Sequence, residues 1–103
     1  MTESLFEEVT PLGTRVRTTL SYWTRIVRFK HPVMQGKEDK VRAILRDPVQ
    51  IRQSRKDPSV HLYYGPDSPY YICVVVKCLD GEGFIVTTYR AESMKEGELL
   101  WHP

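Results

Sequence analysis

Long hydrophobic runs are missing from this 103-residue chain. The longest is Ile72–Val76, far short of the ~20 apolar residues a membrane-spanning helix needs. The opening MTESLFEEVT is acidic and lacks the basic-then-apolar layout of a secretory signal. We therefore expect no membrane association and a cytoplasmic location. Cysteine is scarce: Cys73 and Cys78 are the only two. Odd spacing within one strand puts them on opposite faces, roughly 16 Å apart, which precludes an intrachain disulfide and suits reduced, buried thiols. The two Cys and three His show no CxxC or HxxxH spacing, so no metal site is expected. Gly81 and Gly83 make no dinucleotide fingerprint, a GxSxG elbow is absent, and no cofactor is expected. Scarce carboxylates in the basic half argue against a two-metal nuclease.

Charge is present but unevenly placed. The net +2 conceals three segments. Residues 1–14 carry three acids and no base. Residues 15–56 carry twelve bases against three acids, net +9. Residues 57–103 return net −4. A basic half within a near-neutral chain is the footprint of a polyanion partner, or else of several solvated helix faces.

Length and the absence of repeats or low-complexity linkers indicate a single domain over residues 1–103, with an arm over 1–13 and a core over 14–101. Residues 4–10 read as an edge strand or an ordered arm. Arg15–Leu20 alternates in strand fashion. Ser21 is placed to cap a helix starting near Tyr22, whose apolar face is Trp23, Ile26 and Val27. His31-Pro32 stops it. Lys37–Arg46 is a second helix with Val41, Ile44 and Leu45 on one face. Val49–Gln53 is extended. Val60–Tyr64 is a strand, Gly65-Pro66-Asp67-Ser68-Pro69 a loop, and Tyr70–Leu79 a strand apolar on both faces, as at a sheet centre. Asp80-Gly81-Glu82-Gly83 is a hairpin turn, followed by Phe84–Arg90. The tail lays Leu99, Leu100 and Trp101 on the body. The order predicts an α+β fold: two N-terminal helices packed on a curved antiparallel β-sheet of about four strands.

Candidate chemistry is confined to few groups. His31 ends the first helix amid positive charge and can exchange a proton near neutral pH, or simply cap carbonyls there. Lys77 interrupts an apolar strand and needs a partner or an open cleft, unless it snorkels near the strand end. Thr87, Thr88, Tyr89 and Arg90 offer hydroxyls and a cation suited to phosphate oxygens, with Thr88 and Arg90 on one face and Thr87 and Tyr89 on the other. Tyr63, among four strand tyrosines, can stack on a splayed base or pack in the core. Arg42, Arg46, Arg52, Arg55 and Arg90 join Tyr63 as candidate RNA-binding residues.

These words in this order — Trp23, Ile26 and His31-Pro32; Leu45, Asp47-Pro48, Ile51 and Ser54; Tyr63-Tyr64; Val74–Lys77; Gly83–Tyr89; Lys95–Glu98 and Trp101 — resemble small bacterial and phage-related proteins grouped with the barnase–EndoU–colicin–RelE-like nucleases. The layout from Lys30-His31 to Asp47-Pro48 is also similar to the BrnT-type ribonuclease toxins. The resemblance spans about residues 14–101. It implies helices first and a curved antiparallel sheet after. It also implies metal-independent RNA cleavage, in which the RNA 2′-hydroxyl attacks its own phosphate. His31 would be the general base or acid, Lys77 would contact phosphate, and Thr87 or Thr88 with Tyr89 would position it. RNA and an acidic antitoxin protein are the implied partners. The competing expectations are a non-catalytic nucleic-acid-binding module and an interaction protein whose basic surface meets an acidic partner.

Overall fold

The computed structural model describes residues 3–103. In chain order its elements are β1 (Ser4–Val9), β2 (Arg15–Thr19), α1 (Leu20–Arg25), a π-helical turn (Ile26–Lys30), a 3-10 turn (Pro32–Met34), α2 (Glu38–Arg46), β3 (Gln50–Gln53), β4 (Val60–Asp67), β5 (Tyr70–Leu79), β6 (Glu82–Ala91) and β7 (Glu98–Trp101). All seven strands form one sheet, in the order β1-β2-β6-β5-β4-β3-β7. Neighbours are antiparallel except β2 and β6, which run parallel.

This corrects the expected fold: the sheet has seven strands rather than about four, is mixed rather than antiparallel, and two strands precede the helices. The difference has three sources. Residues expected as an edge strand or arm form β1, registered against β2 from Ser4↔Thr19 to Val9↔Arg15. β2 then docks on β6 through Arg15↔Glu82 to Arg17↔Phe84, a pairing too distant in sequence for periodicity to reveal. The tail extends the far edge, with β7 paired to β3.

Local chemistry accounts for most boundaries. Thr19, not Ser21, caps α1: its Oγ1 accepts from the Tyr22 N–H at 3.1 Å. The π-helical turn ends before His31, whose backbone leaves the helical region ahead of Pro32, since a residue preceding proline avoids that region. Asp80 and Gly81 both have positive φ, 53° and 79°, as a tight right-twisting hairpin requires, and β6 already starts at Glu82. Pairing of β4 with β5 runs on through Gly65, Pro66 and Asp67, residues expected in a loop.

The helices pack on one sheet face. Trp23, Ile26, Met34, Val41, Ile44 and Leu45 meet Val16, Ile51, Tyr63, Ile72, Val74, Val76 and Ile85 there. On the other face a smaller cluster joins Leu62, Tyr64 and Cys73 to Val75, Tyr89 and Met94. Residues 92–97 link β6 to β7 across that outer face, because β5, β4 and β3 lie between the two strands. Burial on both faces explains why β5 reads as a continuous apolar run.

Candidate functional site

The pairing of β2 with β6 ends at Arg17↔Phe84. From Ile85 onward β6 therefore has a strand neighbour on one side only, β5. The 3-10 turn Pro32–Met34 packs beside this open edge and brings the half-buried His31 to β6. The His31 ring centre lies 5.8 Å from that of Tyr89, tilted by 40°. The His31 backbone is tied down as well, its N–H donating to the Ile26 carbonyl at 2.8 Å.

Tyr89 lies on the outer sheet face. It pairs across β5 with Cys73, which pairs in turn with Tyr64. The Tyr89 hydroxyl donates to Glu96 Oε2 at 3.1 Å. Burial, reinforced by the neighbouring Cys73, raises the Tyr89 and Tyr64 phenols well above the ordinary tyrosine value. Burial likewise pushes the Cys73 thiol up to about 12. Tyr89 is therefore a hydrogen-bond donor at neutral pH, not a phenolate.

A register shift in the pairing, between Val75↔Thr87 and Val76↔Ile85, leaves Val86 without an opposite residue and sets the faces beyond it. Thr87 faces outward with Tyr89, and its enclosed Oγ1 has no hydrogen-bond partner among the described residues. Thr88 faces the helices, fully buried, and its Oγ1 donates to the Cys73 carbonyl at 2.9 Å. Neither hydroxyl is open to solvent: that of Thr88 is engaged and that of Thr87 is enclosed.

Lys77 stands apart from His31. It pairs with Phe84, four residues along β5 from the partner of Tyr89, or about 13 Å at about 3.3 Å per residue. Its Nζ donates to Asp57 Oδ2 at 2.7 Å. That bond, with those from Ser59, holds the Asp57 carboxyl down to about 2. The partner that a lysine in a central strand requires is Asp57.

The expected RNA-binding groups are dispersed and largely engaged. Arg42 and Arg46 reach Glu8 Oε2 at 2.6 and 3.0 Å. Arg52 donates to Gln50 Oε1 at 2.9 Å and to the Gly97 carbonyl at 3.0 Å. Arg55 meets Glu98 at 3.6 Å. Arg90 lies 3.9 Å from Asp67 and stacks 4.9 Å over the Tyr70 ring. Tyr63 is fully buried, its hydroxyl donating to Thr10 Oγ1 at 3.0 Å. Its place as a base-stacking platform is corrected to that of a core residue, because neither ring face is open.

Flanking segments thus neutralise much of the basic stretch. Arg17, Arg25, Arg28, Lys30, Arg52 and Lys56 are its bases with no acidic partner among the described residues. Three of them surround Phe29, which is 79% exposed. Sequence reasoning passed over Phe29, although an aromatic between Arg28 and Lys30 is a legible sign of a binding surface. It also missed Glu96 as the partner of Tyr89, a contact made only by the crossing of residues 92–97. Among the described residues no group of three or more metal-ligating side chains occurs, and no helix is long and apolar enough to cross a membrane. No family model, curated protein or solved structure matches the chain.

Proposed function

We propose that this chain is a metal-independent ribonuclease-like module of the cytoplasm, with His31 as its acid–base group. The observation that carries the reading is the placement of His31 against Tyr89 at the open edge of β6. The resemblance of the sequence to small nucleases supports it, as do the unpaired cations on the adjoining helical turn. In this chemistry an RNA 2′-oxygen bonds to its own phosphorus and the bond to the 5′-oxygen breaks. His31 takes the 2′ proton or delivers one to the leaving oxygen. Tyr89, its proton held by Glu96, lies against the His31 ring and positions it. Lys30 and Arg28 draw in the strand. Lys77 and Thr88 fall outside this set, since their polar atoms are already engaged. An acidic antitoxin is the protein partner that such a basic surface would take.

The test is cleavage of a labelled unstructured RNA by pure protein in a chelator. Fragments ending in a 2′,3′-cyclic phosphate are expected, with a rate that falls at least ~100-fold in His31→Ala. Intact RNA, or cleavage indifferent to His31→Ala, overturns the reading.

The exposed Phe29 favours a second reading, a non-catalytic nucleic-acid-binding module. Aromatic stacking and cations together suffice to hold a single strand. Salt-sensitive binding without cleavage, surviving His31→Ala but lost in Phe29→Ala, would select it.

A further inference from the structure

Where β2 and β6 part beyond Arg17↔Phe84, the sheet opens into a fork. Tyr22 of α1 fills one side of it, and a cleft of about 480 Å³ remains. Neither His31 nor Tyr89 lines it. Its size falls in the range of small-ligand sites, roughly 300–1,000 Å³, and is more than a bare carboxylate or phosphate would need.

Three features define what fits. The first is Thr18, which lines the cleft yet is only 4% exposed. Its enclosed Oγ1 has no hydrogen-bond partner among the described residues. Buried hydroxyls are almost always satisfied, so this atom points to a polar group supplied from outside the chain. The second is charge. Glu7 is already paired with Arg15 at 3.3 Å, and Arg17 has no acidic partner among the described residues. The rim thus carries a surplus cation with the fork geometry that takes phosphate or carboxylate oxygens. The third is a pair of rings: Phe84 is half exposed beside Arg17, and Tyr22 lines the same cleft. Aromatic walls favour a planar ring between or upon them. Ser4 and Thr19 add hydroxyls.

We propose that the fork between β2 and β6 binds a nucleoside monophosphate unit. Its phosphate meets Arg17, its base stacks on Phe84 beside Tyr22, and a polar base edge satisfies Thr18. The unit is either a free mononucleotide or one residue of an RNA strand. The proposal stands independently of cleavage at His31.

The experiment is titration of the ¹⁵N-labelled protein with each of AMP, CMP, GMP and UMP, with inorganic phosphate, with the nucleosides, and with a short single-stranded RNA. Saturable amide shifts at Thr18, Thr19, Phe84 and Ile85 are expected with at least one mononucleotide or with the RNA. Mononucleotide binding assigns the free ligand; binding of the RNA alone assigns a strand residue. Arg17→Ala should weaken binding by about tenfold or more, the usual effect of losing a charge-assisted hydrogen bond. Thr18→Val should weaken it several-fold, Thr18→Ser should restore it, and Lys56→Ala should change nothing. The proposal fails if no ligand gives saturable shifts at the fork, if phosphate alone binds as well as the nucleotides, or if Thr18→Val and Phe84→Ala bind like the parent.

Discussion

Glu8 on β1 accepts a hydrogen bond from Arg42 Nε on α2 at 2.6 Å, tying the first strand to a helix thirty-four positions later. Glu8 is 9% exposed. Burial works to raise its pKa, but Arg42 and Arg46 together outweigh burial and hold it below its ordinary value of 4.5. A lowered pKa in the folded state stabilises above the unfolded value. That contribution is lost as pH falls through the folded value. Glu8→Gln should cost about 1–3 kcal/mol near neutral pH. Urea midpoints of the two proteins should converge as pH falls below the ordinary carboxylate range, and a constant gap across the range would show that the carboxylate charge is not what matters.

Lys77 and Asp57 make the second prediction. Lys77→Met removes the leading cause of the depressed Asp57 pKa, now about 2, and should return it toward 3.8. The two Ser59 hydrogen bonds remain and keep the recovery partial. A carboxyl NMR titration reads this directly. An unmoved Asp57 would mean that the pair does not form in solution.

The third concerns the close approach of α2 to β4. A Cβ at Gly65 would overlap Ile44 Cγ1, near the root of that side chain rather than at its tip. Gly65→Ala must therefore push the helix outward, at about 1–3 kcal/mol. Ile44→Ala alone leaves a cavity costing about 2–5 kcal/mol. The double variant should lose clearly less than the sum, by a coupling of about 0.5–3 kcal/mol. Additive losses in denaturant unfolding would refute the packing assigned to this pair.

The two thiols should differ in reactivity. Cys73 is fully buried and pushed up to about 12. Cys78 is half-buried, raised by burial, and 3.5 Å from His61 Nδ1. Since the thiolate is the reactive form, a disulfide reagent near pH 8 should label one site slowly and the other only after denaturation. Cys78→Ser should abolish the slow native phase. Rapid labelling of both sites would contradict the burial of Cys73.

What could be seen in the residues follows a physical divide. β5 was legible because it is buried on both faces and its apolar run is continuous. α2 was legible because Val41, Ile44 and Leu45 recur at helical spacing. The faces of Thr87, Thr88, Tyr89 and Arg90 followed from strand alternation, and the register shift at Val86 falls before this group. Neighbours distant in sequence were not legible. The acids that quiet the basic stretch come from both flanks: Glu7 and Glu8 from β1, Asp67 from β4, Glu98 from β7. A running charge tally cannot pair them. Pro66 misled because proline argues against a central strand. It lies past Tyr64, the last β4 residue that β3 pairs with, where β4 has a partner on one side only. Tyr63 could have been core or platform from its neighbours alone, and only the docking of Thr10 decided it.

The parallel seam between Arg15 and Glu82 closes a loop of 67 positions around nearly every other element, whereas the β3–β6 meander closes turns of a few residues. Loop closure grows costlier with length, and only three residue pairs hold this seam. The meander is thus positioned to assemble early, with the β1–β2 ribbon arriving last and leaving first. Amide exchange should be faster along Arg15–Arg17 than in β5. A molecule lodged where the ribbon joins the meander would brace this seam, so occupancy would register as slower exchange on both sides of it.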